Sequence, residues 1–234
     1  MSAICWLDAE TLDFPPLESA LAEPNGLLAV GGDLSPARLL AAYRRGIFPW
    51  YEDPQPLLWW SPDPRAVLFP ERVHVSRSLR RIQRRGEFSV TLDKAFRRVI
   101  NGCATLSQSR SGTWITRDML NAYIHMHELG WAHSVEVWRA GELVGGLYGM
   151  AIGRVFFGES MFSRADNASK IALVALCQRL CAAGVELIDC QVGNPHLYSL
   201  GAEDISRASF SELLKQLTAQ ACVSDCWRPG ALSA

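Results

Sequence analysis

Apolar and polar residues alternate along 134–138, and a second apolar run follows at 143–148. Between them Arg139-Ala140-Gly141-Glu142 reads as a turn, so the pair predicts a β-hairpin with a loop of about four residues. Short apolar runs at 66–69, 88–91, 155–157 and 187–188 predict further strands, with the first hairpin strand spanning 133–138. Helical spacing and end signals place helices at 77–85, 94–101, 117–129, 168–183 and 210–221. Thr116 and Gly130 bound the third of these, Gly184 stops the fourth, and Ser209 with Glu212 has the spacing of a capping box for the last. Upstream, Ser35-Pro36 opens a helix that runs through Arg45, and Gly46 closes it. Adjacent antiparallel strands with helices between and after them make an α+β protein.

Ser61-Pro62-Asp63-Pro64 breaks regular structure and predicts a boundary, with residues 1–64 a small N-terminal domain packed on a larger domain, 65–234. The sign of the charge changes at the same place. Residues 1–64 hold nine acidic and three basic side chains, 65–110 hold three acidic and eleven basic, and 111–234 hold twelve acidic and nine basic. The formal net charge of -1 therefore conceals a cationic segment able to attract a polyanion, because salt confines fields to roughly 8–10 Å. No apolar run is long enough to span a membrane, and the N-terminus lacks the basic and apolar regions of a secretory leader. A cytoplasmic location is expected. The seven cysteines include no CxxC pair and read as thiols in a reducing compartment rather than a metal site.

Within the cationic segment Arg77, Arg80, Arg81 and Arg84 share one helical face, and no acidic residue lies between Arg72 and Arg85. A solvated face is the plain alternative, but the missing counter-charges favour contact with a nucleic-acid backbone. Trp50, Trp59 and Trp60 flank prolines. The latter two fit a sealed interface, whereas an exposed Trp50 could stack on a base. Trp114 precedes a helix cap and offers an indole N–H donor. Glu159, among small residues just past a short strand, suits a guanidinium or ammonium group. Asp189 and Gln191 alternate along another strand and are expected to point to one face; a structural hydrogen-bond network is the competing explanation. Neither the histidine spacing nor any HExxH, nucleophile-elbow or P-loop motif supports a metalloprotease, an α/β-hydrolase or an NTPase.

Taken together, Asn25-Gly26-Leu27-Leu28, Gly31-Gly32-Asp33-Leu34-Ser35-Pro36, Arg45-Gly46-Ile47-Phe48-Pro49-Trp50, Trp59-Trp60-Ser61-Pro62-Asp63-Pro64-Arg65, Gly112-Thr113-Trp114-Ile115-Thr116, the segment 158–164 and Asp189-Cys190-Gln191 resemble the leucyl/phenylalanyl-tRNA–protein transferase family. The resemblance implies a larger domain like that of GCN5-related N-acetyltransferases. It also implies an enzyme that moves Leu or Phe, and Met less well, from aminoacyl-tRNA to the α-amine of proteins beginning with Arg or Lys, marking them for degradation. No cofactor and no metal are implied, and a monomer is expected. By the same resemblance Trp50 would stack on the terminal adenosine and Trp114 would bond near it. Glu159 and Gln191 would meet the acceptor peptide, with Asp189 behind Gln191. Leu147, Phe156, Leu173, Leu176 and Ile188 would line the pocket for the transferred side chain, with Asn194 among the substrate contacts, and Arg77, Arg80, Arg81 and Arg84 would hold the tRNA acceptor stem.

Because an aminoacyl ester is already activated, such an enzyme needs neither ATP nor a covalent intermediate, only a neutral amine brought to the carbonyl. An amide is too weak a base to take the amine's proton. Gln191 is therefore expected to orient the amine, with Asp189 fixing the Gln191 amide, and the proton leaves through water or the adenosine 2′-OH. Two rivals stand beside this reading. An acetyl-CoA-dependent acetyltransferase would need a pyrophosphate loop that the segment after Phe157 lacks, and a tRNA-binding module with a decayed site would not need Glu159, Asp189 and Gln191.

Overall fold

The computed structural model describes residues 4–8, 10–105, 115–221, 226–228 and 230–232. Two sheets form. The first has four short strands, β1 (Cys5–Leu7), β2 (Leu27–Gly31), β3 (Phe48–Pro49) and β4 (Leu58–Trp60), in the order β1-β2-β4-β3. Between β2 and β3 lies α1 (Pro36–Tyr43), where Ser35 accepts a hydrogen bond from the Arg38 amide and Gly46 ends the segment at φ +74. Those are the start and stop that the sequence predicts.

The second sheet begins at β5 (Arg65–Leu68) and continues through β6 (Ser89–Leu92), β7 (Ala132–Arg139), β8 (Glu142–Ile152), β9 (Val155–Ser163), β10 (Leu187–Gln191), β11 (Glu203–Ile205) and β12 (Gly230–Leu232). The strand order is β11-β5-β10-β9-β8-β7-β6-β12, antiparallel except where β9 lies parallel to β10. The predicted hairpin is β7–β8. Its turn is tighter than expected, because Ala140 (φ +50) and Gly141 (φ +81) alone reverse the chain with a twist that matches the strands.

Helices α2 (Arg77–Arg84), α3 (Phe96–Ala104), α4 (Arg117–Glu128), α5 (Ala168–Ala182), α6 (Pro195–Tyr198) and α7 (Arg207–Thr218) complete the fold. The observed architecture is α+β, as the sequence predicts. Helix α5 makes the crossover between the parallel strands and is apolar on nearly every side. It packs with Leu147, Phe156 and Ile188 in a core on one face of the large sheet. The opposite face carries a second core in which Tyr148 and Phe157 meet Tyr43, Trp59, Tyr123 and Phe210, so residues of the small sheet, α1, α4 and α7 share one apolar interior. Burying a large apolar side chain contributes about 1.5–3 kcal/mol, and these cores hold most of the chain's large residues.

Three expectations are corrected. Strand β9 does not stop at Phe157 but runs to Ser163, so Glu159 sits inside a strand rather than just past one. The predicted helix 94–101 begins only at Phe96, because the amides of Lys94 and Ala95 donate to the buried carboxylate of Glu136. The last helix begins at Arg207, with Ser206 as its cap accepting from the Ser209 amide at 3.1 Å. Glu212 of the expected capping box instead accepts from Gln216 at 3.0 Å. Among the described residues no helix is long and apolar enough to cross a membrane.

Gly46 is under double constraint. Besides its positive φ, a Cβ there would lie 2.8 Å from Cε1 of the Phe210 ring. Gly46→Ala is expected to lose about 1–3 kcal/mol of stability, read as a lower urea midpoint at unchanged slope.

Candidate active site

Where β10 ends, the pairing with β5 slips by a residue between Asp189 and Gln191. Gln191 adopts φ +57, a left-handed conformation uncommon for a residue with a side chain. The carboxylate of Asp189, with no exposed surface, lies beneath this kink. One of its oxygens accepts from the backbone amide of Gln191 at 2.9 Å, which pins the kinked residue. Both oxygens also accept from Arg65, Nε and Nη2 each donating at 2.7 Å. The remaining Arg65 amino group donates to the Gly46 carbonyl at 3.0 Å, and the guanidinium stacks between the rings of Phe48 and Phe210. Contrary to expectation, Asp189 therefore makes no hydrogen bond to the side-chain carboxamide of Gln191. It acts on that residue through the main chain, and the expected alternation of Asp189 and Gln191 is broken by the slip.

The Gln191 amide nitrogen instead faces Glu159, donating to Oε1 at 3.3 Å. Glu159 is ringed by phenols that the sequence does not single out: Tyr43, at the end of α1, donates to Oε1 at 2.7 Å, and Tyr123 of α4 donates to Oε2 at 2.8 Å. Burial pushes the Glu159 carboxyl up to about 7, against the pull of these two donors; Asp189 adds to the rise and Arg65 opposes it. Burial likewise holds the phenols of Tyr43, Tyr123 and Tyr148 well above their usual range, so all three are neutral. The Tyr148 hydroxyl is buried without a hydrogen-bond partner among the described residues.

In front of Glu159 and Gln191 opens a cavity of about 590 Å³. Leu147, Phe156, Leu173, Leu176 and Ile188, drawn from three strands and α5, form apolar wall, and Trp50 and Asn194 lie at its edge. The structure thus brings together most of the residues predicted for substrate contact; Asp189 stands behind them, and Trp114 lies outside the described residues. Trp50 is 41 % exposed, its carbonyl held by the Trp60 indole at 2.6 Å, whereas Trp59 is wholly buried with its indole on the Gly31 carbonyl. Arg77, Arg80, Arg81 and Arg84 are exposed on α2 and enter no ion pair with a described residue. Leu79 anchors that helix in the core beside α5.

The sequence profile of the leucyl/phenylalanyl-tRNA protein transferase family matches residues 67–215, and that of its N-terminal domain matches residues 32–63. A leucyl/phenylalanyl-tRNA–protein transferase of Stutzerimonas stutzeri is 60 % identical over 225 residues, covering 96 % of this chain and 99 % of that one. Its counterpart in Pseudomonas entomophila is 61 % identical over 211 residues, covering 90 % and 93 %. Among solved structures, a GCN5-related N-acetyltransferase from Kribbella flavida aligns with a TM-score of 0.40 at 12 % identity, covering 73 % of this chain and 61 % of that one. In class the protein is an aminoacyltransferase. The chain belongs to the leucyl/phenylalanyl-tRNA–protein transferase family.

Removing one member of a buried ion pair strands the other charge, whereas replacing both with apolar residues does not. Asp189→Ala is expected to cost about 3–5 kcal/mol of stability, and Arg65→Met with Asp189→Leu to recover most of it. Transfer activity should stay lost in the double variant, because nothing then holds the Gln191 amide. Recovery of activity along with stability would show that the pair serves folding alone.

Proposed function

We propose that the protein transfers Leu or Phe, and Met less well, from aminoacyl-tRNA to the α-amine of proteins whose first residue is Arg or Lys, marking them for degradation. The observation that carries this reading is the make-up of the cavity. An apolar chamber suited to an aliphatic or aromatic side chain meets, at one end, a carboxylate and a carboxamide suited to a cationic N-terminal residue. The same joint composition disfavours an acetyl donor, which would leave the apolar chamber empty.

In this reading Leu147, Phe156, Leu173, Leu176 and Ile188 seat the transferred side chain, and Asn194 contacts the substrate at the rim. Trp50 stacks on the terminal adenosine, a contact worth about 1–3 kcal/mol per base, and Trp114 bonds nearby. The exposed arginines of α2 hold the acceptor stem through its phosphates, with no reading of base sequence. Glu159 receives the positive charge of the acceptor's first residue. Gln191, fixed in its kinked backbone by Asp189, aims the α-amine at the ester carbonyl. An α-amino group titrates near 7.7–8.0, so a useful fraction is neutral at physiological pH. Positioning then supplies much of the acceleration, since well-oriented reactants react as one molecule. The proton shed by the amine passes to water or to the adenosine 2′-OH. The segments 1–64 and 65–234 are read as a small domain and the catalytic domain, working as a monomer in the cytoplasm.

The test offers the purified protein labelled Leu-tRNA with an Arg-initiated or a Gly-initiated peptide, and labelled acetyl-CoA in parallel. Leucine is expected on the Arg peptide alone, and Glu159→Gln is expected to weaken that peptide's binding while leaving tRNA affinity unchanged. Label arriving only from acetyl-CoA would overturn the reading. A salt-dependent tRNA complex with no product would reduce the protein to a binding module.

A further inference from the structure

Three oxygen–oxygen contacts close a triangle at the polar end of the cavity. Tyr43 Oη meets Glu159 Oε1 at 2.7 Å, Tyr123 Oη meets Glu159 Oε2 at 2.8 Å, and the two phenolic oxygens hydrogen-bond to each other. Each such contact requires one proton between its oxygens; without one, lone pairs face each other. A phenol has one proton to give, and an ionised carboxylate has none. Two phenols and a carboxylate therefore fill only two of the three contacts. With a third proton on Glu159 the count closes: each group donates once and accepts once around the ring, one tyrosine giving its proton to the other and accepting from the carboxyl instead of donating to it. The contact from Gln191 Nε2 brings its own proton and does not alter this count.

We propose that in the unliganded enzyme Glu159 is kept as a neutral carboxylic acid by a closed hydrogen-bond ring with Tyr43 and Tyr123, and that a cationic N-terminal side chain binds by expelling that proton to solvent. This rests on the reading above that Glu159 receives the acceptor's positive charge. In balance, a carboxylic acid and a free cation give a carboxylate–cation pair and one released proton. Tyr43 and Tyr123 are positioning residues, since they act on the acceptor only through Glu159. The groups that face the carboxyl pull in both directions, and burial outweighs the rest. Its burial is the largest influence and favours the acid, Tyr43 on α1 and Tyr123 on α4 oppose it wherever they donate to the carboxyl, Asp189 on β10 favours it, Arg65 on β5 opposes it, and Tyr148 on β8 stays neutral. The carboxyl is accordingly pushed up to about 7.

The device bears on selectivity. A side chain without charge leaves the acid and its ring intact and gains no ion pair, so only a cation can replace the lost proton. The sign with pH follows from the raised value. Below about pH 7 the acid is the resting form and affinity for a cationic acceptor rises about tenfold per pH unit; above it the carboxylate is already formed and the dependence disappears.

Infrared spectroscopy of the unliganded protein is expected to show a carboxylic-acid carbonyl band that titrates away as pH rises through about 7 and is missing in Glu159→Gln. Tyr43→Phe and Tyr123→Phe decide the role of the ring. Deleting one phenol costs the acid form two neutral hydrogen bonds, while it costs the ionised form one stronger bond and relieves the contact without a proton. The midpoint should therefore fall by about one unit, equivalent to about one neutral hydrogen bond. Phenols serving only as donors to a carboxylate would give the opposite sign, and a raised midpoint overturns the ring. Calorimetric titration of an Arg-initiated peptide in two buffers of unlike ionisation enthalpy should report nearly one more proton released by the unaltered protein than by Glu159→Gln at pH 6 and no difference at pH 8.5, the α-amine's own titration cancelling between the two. Absence of both band and release, with Glu159→Gln still weakening the peptide, overturns this inference and leaves the acceptor reading standing. Unchanged peptide affinity in Glu159→Gln sinks the acceptor reading and with it the expulsion step, whatever the band shows.

Discussion

The carboxylate of Asp189 has no contact with solvent, and a charge removed from water in this way must be matched inside the protein or it will not stay ionised. Arg65 matches it with two parallel hydrogen bonds, the geometry for which a guanidinium is suited. The same guanidinium reaches the Gly46 carbonyl behind α1 and lies between Phe48 of the small sheet and Phe210 of α7. One side chain thereby joins the small sheet, the C-terminal helix and the central strands of the large sheet. What it fixes is the end of β10. With Asp189 immobile, the amide of Gln191 has an acceptor, the left-handed kink is held, and the Gln191 side chain is turned toward Glu159. The pair contributes little net stability when measured against a well-packed apolar substitute. Its value lies in placing a strained residue at the edge of the cavity.

The cavity places two requirements side by side on one sheet. Its apolar wall comes from the core under α5, whose side chains could have packed against one another but instead leave a chamber. Its polar end belongs to the opposite face, where three tyrosines crowd a carboxylate. Strand β9 links the two, since neighbouring residues along a strand point to opposite faces. Phe156 serves the chamber, while Glu159 reaches the tyrosines.

Much of this was legible in the sequence. The hairpin, the Ser35 and Thr116 caps, the stops at Gly46 and Gly130 and the α+β class follow from local periodicity and turn chemistry, which depend on neighbours in the chain. Glu159, Asp189 and Gln191 stood out as polar residues against apolar strands. What could not be read depended on distant partners. β9 looked finished at Phe157 because a strand bordering a cavity carries Gly158, Ser160 and Ser163 where a core strand would carry valine or leucine. Tyr43 and Tyr123 looked like ordinary core aromatics; only the fold brings their hydroxyls, 80 residues apart in sequence, onto one carboxylate. Arg65 looked like the end of a proline-rich junction, and nothing near it in the chain points to Asp189, 124 residues away. The small sheet was invisible for a related reason. Its strands run from two to five residues and pair across loops, so no periodicity develops.

The proposed selection of acceptors by positive charge rests on a buried carboxylate at the end of an apolar chamber. A peptide beginning with citrulline tests it directly, because citrulline keeps the length and planar shape of arginine while a neutral urea, with an oxygen in place of one amino group, replaces the cation. With Leu-tRNA as donor, kcat/KM for the citrulline peptide should fall at least about tenfold below that for the Arg peptide, the order of one lost charge-assisted hydrogen bond. Equal turnover of the two peptides would show that the site reads shape rather than charge, and would contradict the role given to Glu159.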